Sequence, residues 1–187
     1  MSKGADLLEA LRGVQRLHGE VATLLRAADE YLVGKKEFRT TNTFRAASDA
    51  SKSWADPHGW SPNFAARFYF VPMNPKIVAF ASVCLVDRPS DWFANPFTEP
   101  LVSAGWVRFS TKVSRPFKAW GWGKMCHWTA HPRDGTPSNR EIPQGEEGSG
   151  TAVEERCLTL PLVDITSTPD LVARLLDPMV ATIPIPD

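Results

Sequence analysis

Residues 5–33 constrain the fold more than any other stretch. In ADLLEALRGVQRLHGEVATLLRAADEYLV, Leu7, Leu11, Val14, His18, Val21, Leu25, Ala28 and Leu32 recur at alternating spacings of four and three. That is a helical period sustained over four heptads, and it predicts one amphipathic helix about 40 Å long. Ala10, Leu17, Leu24 and Tyr31 widen the stripe. A stripe this wide suits packing across a sheet, whereas a bare two-stranded seam needs only a narrow one. Core packing is therefore the first expectation, and a homodimer through the N-terminal helix the second. Gly34 suits a C-cap, with Lys35 and Lys36 beside the negative end of the helix dipole. Gly13 and Gly19 each weaken the helix by about 1 kcal/mol against Ala, so packing must hold it. His18 reads as an imidazole tolerated at the stripe's edge, or as a pH-sensitive register element.

Beyond the helix the period changes. Segment 34–63 is polar and irregular, with room for a short helix near Ala46–Trp54 or for a functional loop. In Phe64–Val71 the phenylalanines alternate with Arg67 and Tyr69, which predicts a half-buried strand. Ile77–Val86 is nearly all apolar and predicts a central strand covered on both faces. Leu101–Phe109 and Phe117–Ala130 read as two more strands, separated from the first pair by the proline-broken 88–100. Segment 131–152 reads as a mobile acidic loop. Val153–Val163 is the fifth strand, with Leu158, Leu160 and Leu162 on one face and Pro161 marking an edge or bulge. Ser167 or Thr168 caps a short helix over 168–178, with Pro169 in its first turn and Pro178 at its end. The expected fold is a single α+β domain over 1–187. A long N-terminal helix packs on a mainly antiparallel sheet of about five strands within 64–163, and a short C-terminal helix follows.

Hydrophobic residues at 43% and charged residues at 22% are globular values and argue against disorder. The longest apolar run, Ile77 to Val86, is about half of what a bilayer span needs. The first residues, MSKGADLLEALRG, lack the apolar core of a secretory signal. Cys84, Cys126 and Cys157 form no CxxC pair and read as free thiols in a reducing compartment. A cytoplasmic protein with no membrane partner and no cofactor is expected.

The richest chemistry lies in AWGWGKMCHWTAHPRD, 119–134. Cys126, His127 and His131 suggest a metal site, and His127 and His131 would share one face of a helix. The composition favours a strand instead, where residues four apart are separated by about 13 Å and cannot easily converge on one ion. On a strand Cys126 also points away from His127, which removes a nucleophile–base pair. Asp87, Asp91 and Glu99 near Lys112 match no carboxylate template and read as solvated loop charges. No GxSxG, HExxH or phosphate-binding glycine loop is present.

A net charge of zero hides a segregation. From Pro100 to Arg133 the chain carries Arg108, Lys112, Arg115, Lys118, Lys124 and Arg133 and no acid. From Asp134 to Asp187 ten acids face three arginines. The basic span interleaves Trp106, Phe109, Phe117, Trp120, Trp122 and Trp128, the mixture of phosphate-neutralising cations and base-stacking rings found on single-strand nucleic-acid surfaces. Two plainer readings compete: the tryptophans form a core face, or the basic strand pairs with the acidic one, Lys124 opposite Glu154 or Glu155. Trp54, Trp60, Trp92, Phe93 and Phe97 fall in irregular segments, where rings either anchor a partner or pack beneath loops. The expected function is a non-enzymatic binding or regulatory module that recognises a protein partner or ligand through these aromatic loops and the basic aromatic strand. A single-stranded nucleic-acid binder is the alternative. A metal-dependent enzyme using Cys126, His127 and His131 comes third.

Overall fold

The helical period is realised as one uninterrupted helix, α1, over Lys3–Gly34. The computed structural model describes residues 3–35, 37–47, 64–85, 99–113, 132–142 and 151–184. Six strands follow: β1 (Arg39–Ala47), β2 (Phe64–Phe70), β3 (Ile77–Cys84), β4 (Leu101–Phe109), β5 (Ser138–Glu141) and β6 (Ala152–Pro161). They form one antiparallel sheet in the order β1-β2-β3-β4-β6-β5. A 3₁₀ turn at Leu162–Asp164 leads into a second helix, α2, over 168–181. The fold is α+β, with six strands among the described residues where about five were expected.

The two extra strands lie in segments read as irregular. β1 falls within 34–63 and β5 within the expected loop 131–152. The expected strand Phe117–Ala130 lies outside the described residues. The other strands stand where the sequence pattern placed them. All eight residues of β3 are buried, the signature of a central strand. β2 departs from its half-buried reading, because both of its faces are covered and Tyr69 has no exposed surface. α2 runs past Pro178 to Ala181. Its middle turn, Val172–Leu176, is a π-helix in which the Asp177 N–H reaches back five residues to the Val172 carbonyl. A regular helix would drive the Pro178 ring into the Arg174 carbonyl, and the wider turn removes that clash.

Alternation along the strands splits the sheet into two buried faces. On one face Ala79, Ala81 and Ala104 are small enough for helices to approach closely. Val21, Leu25, Ala28 and Leu32 of α1 and Leu171, Leu175, Leu176 and Met179 of α2 pack there. Each of these larger side chains contributes about 1.5–3 kcal/mol by leaving water. Phe64, Phe68, Phe80, Leu101 and Val107 lie on the other face, in a cluster with Val113 and Ile142. Gly105 is required here. It sits opposite Phe80 in the ladder, and a Cβ would collide with the Arg156 carbonyl oxygen and lie 2.8 Å from the Phe80 ring. Gly135, at φ +80°, supplies the left-handed turn before β5.

Polar ties fix α1 at its C-terminal half. Asp29 accepts from Arg67 Nε at 3.0 Å and from Tyr69 Oη at 2.7 Å, and its second oxygen lies 2.5 Å from Arg67 Nη2. Asp177 of α2 accepts from the Tyr31 hydroxyl and, at 3.4 Å, from Lys35, whose ammonium also lies 4.7 Å from the centre of the Tyr31 ring. Among the described residues no helix is long and apolar enough to cross a membrane.

Candidate functional site

The described part of the basic aromatic span is structural. Trp106 and Phe109 are buried in opposite faces of the sheet. The Trp106 indole N–H donates to Thr182 Oγ1 at 3.1 Å, which ties β4 to the end of α2. Arg108 stands opposite Glu154 across the β4–β6 ladder and pairs with it at 2.8 Å. β4 thus meets the acidic β6 through Arg108, whereas the expected pairing of Lys124 with Glu154 or Glu155 lies outside the described residues. Lys112 is exposed just beyond β4. Arg115, Lys118, Trp120, Trp122, Lys124, Cys126, His127, Trp128 and His131 lie outside the described residues, as do Trp54, Trp60, Trp92, Phe93 and Phe97.

A polar row crosses the second face of the sheet. Ser82, Ser103 and Thr159 are neighbours in the ladders and all are fully buried. Ser103 Oγ and Thr159 Oγ1 share a hydrogen bond of 2.8 Å, and Cys157 Sγ lies 3.5 Å from Thr159 Oγ1. Burial pushes the Cys157 thiol far above its ordinary range, so it stays protonated and unreactive. Glu155 is fully buried on the same face, with Arg140 opposite it in β5. Both described cysteines, Cys84 and Cys157, are free and buried. Among the described residues no group of three His, Cys, Asp or Glu side chains could hold a metal.

An open concavity lies elsewhere. A groove of about 980 Å³ runs between α1 and the connection from β6 to α2. Leu17, Val21 and Leu24 form one wall, and Leu162, Val163 and Ile165 the other. Val163, which lines the groove, is 70% exposed. Arg16, Glu20, Thr166 and Ser167 provide a polar rim.

The second wall is held rigidly. The Leu162 N–H donates to the Pro100 carbonyl at 2.8 Å, and Arg174 Nη1 donates to the Asp164 carbonyl at 2.7 Å. At the start of α2 the Asp170 N–H donates to Ser167 Oγ at 3.3 Å, while Ser167 Oγ and Thr166 Oγ1 donate to the Asp170 carboxylate at 2.9 and 2.5 Å. This cap, through the Thr166 hydroxyl first and then that of Ser167, holds the Asp170 carboxyl below the usual carboxylate range. It also places a negative charge at the positive helix end, so that end does not call for an anion.

No candidate list drawn from the sequence contained this groove. Its signal was present in the excess width of the helix stripe at Leu17 and Leu24 and in the apolar run of Leu162, Val163 and Ile165. Comparison with protein-family models, with curated proteins and with solved structures finds no match for this chain.

Proposed function

We propose that this chain is a non-enzymatic binding module that recognises a protein partner by taking an apolar segment of it into the groove beside α1. The observation that carries the reading is the groove itself, with Leu17, Leu24, Val163 and Ile165 around a volume of about 980 Å³. That volume lies within the range of about 300–1,000 Å³ that suits a bound ligand or side-chain cluster. Apolar walls supply affinity, while Arg16, Glu20 and the hydroxyls of Thr166 and Ser167 orient the segment. A protein partner is favoured over a nucleic acid because Arg108 is paired with Glu154 and Trp106 and Phe109 belong to the core. A cytoplasmic setting is part of the proposal, supported by the free thiols of Cys84 and Cys157.

The test is a photoreactive residue placed at Val163 in cells of the source organism. A discrete heteromeric adduct, lost when Leu24→Glu puts a charge into the groove wall, is the expected outcome. Far-UV circular dichroism of Leu24→Glu guards against simple unfolding. Absence of any heteromeric adduct from a folded protein overturns the reading.

A further inference from the structure

The first half of α1 extends past the body of the protein with its apolar stripe open to water. Leu7, Leu8, Leu11 and Val14 are 63%, 48%, 55% and 45% exposed. Leu7, Leu11 and Val14 continue the same four-and-three spacing that buries Val21, Leu25, Ala28 and Leu32. None of the four lines the groove. Four adjacent exposed aliphatic residues on one helix make an apolar surface that calls for a partner.

We infer that this surface receives a second copy of the chain, with the two α1 helices antiparallel and crossing at Leu11. Three observations select that occupant. First, from Leu7 to His18 the residues bordering the stripe are Leu8, Ala10, Gln15 and Leu17, none of them charged. Partner-selective helix pairs place charges at those borders to choose a different chain, whereas uncharged borders let identical helices approach without repulsion.

Second, charge is polarised along the segment. Asp6 and Glu9 precede Leu11, and Arg12 and Arg16 follow it. A parallel pair would bring like charges to the same level. An antiparallel pair brings Asp6 level with Arg16 of the second copy and Glu9 within one residue of its Arg12. These side chains point away from the seam, so they set direction rather than strength. The opposed helix dipoles favour the same orientation.

Third, size matches across a two-fold axis at Leu11. Leu8 comes level with Val14, and the half-buried His18 comes level with Gly4, beside which a Cβ would meet no atom within 4 Å. Such a contact is isologous and closes after two copies.

Sedimentation of the full chain over a range of concentrations should show a monomer–dimer equilibrium. Leu11→Glu places two carboxylates at the axis and should weaken dimerisation by about a hundredfold or more. Its circular dichroism and melting should stay close to those of the parent, since Leu11 lies outside the core. Cysteine crosslinking reads the direction: Val14→Cys mixed with Leu8→Cys should give the mixed disulfide, while Val14→Cys alone should not. A chain that stays monomeric at hundreds of micromolar overturns the inference. So does a dimer indifferent to Leu11→Glu, or an efficient crosslink between two copies of the Val14→Cys variant. Leu24→Glu should leave the dimer intact, which keeps this outcome separate from that of the groove.

Discussion

The two halves of α1 carry one sequence pattern and meet opposite fates. From Val21 to Leu32 the stripe is buried against the sheet and α2, and from Leu7 to Val14 it lies in water. Their polar residues differ in the same way. Asp29 holds two side chains of β2, whereas Glu9 pairs with Arg16, at 2.9 Å and with both side chains largely exposed. Periodicity therefore identifies which side of a helix is apolar without identifying what covers it.

The largest expected contrast comes from truncation along the stripe. Leu25→Ala should lower the unfolding free energy by about 2–5 kcal/mol, because it empties a filled core position. Leu8→Ala should move it by no more than about 0.5 kcal/mol in the monomer. Urea denaturation at a concentration below dimerisation measures both. Comparable losses would erase the difference between the halves.

A smaller contrast lies in the ion pairs. Asp29→Ala leaves Arg67 and Tyr69 without their shared acceptor, with Arg67 only 18% exposed. A loss of about 2–3 kcal/mol is expected, short of the value for a fully buried pair because water still reaches both partners. Removing the exposed partner with Glu9→Ala should change stability by about 0–1 kcal/mol. Double-mutant cycles with Arg67 and with Arg16 measure the two couplings.

The same anchor predicts an alkaline limit. Burial, and then the hydrogen bond to Asp29, push the Tyr69 phenol far above its ordinary range. In the unfolded chain it ionises near pH 10, so above that pH the folded state holds a proton that the unfolded state has lost. Stability from this group is intact below about pH 10 and falls as pH rises further. Urea midpoints between pH 9 and 11.5 should decline less steeply in Tyr69→Phe than in the parent. An unchanged slope would show that the phenol titrates freely.

The smallest effect belongs to the end of α1. The hydrogen bond from Tyr31, followed by that from Lys35, holds the Asp177 carboxyl below its ordinary range. Its contribution is present above the ordinary carboxylate range and disappears as pH falls through the depressed value. Asp177 is half-exposed, so Tyr31→Phe should cost about 0.5 kcal/mol near neutral pH and less in acid. Thermal melts at pH 3 and pH 7 test that convergence.

Much of the fold was legible because burial imprints a period on the chain. α1 shows a spacing of three to four, β2 and β6 a spacing of two, and the fully covered β3 a nearly continuous apolar run. β5, SNRE, lies at the sheet's edge and leaves no apolar trace, and RTTNTFRAA of β1 has no apolar alternation. Edge strands are held largely by backbone hydrogen bonds, which any side chain permits. Pairing Arg108 with Glu154 required the register of β4 against β6, which no local spacing contains. The groove was equally hidden, since its walls come from residues more than a hundred positions apart, Leu17 to Leu24 and Leu162 to Ile165.

The amino-acid sequence by itself determined the kind of each periodic element and its apolar side, because side-chain direction follows local backbone geometry. The tertiary structure alone decided how much of that apolar side is covered. The sheet and α2 bury the stripe of α1 from Val21 onward, and leucines identical in pattern before that point remain at the surface. Coverage depends on where distant segments end in space, which no local period records.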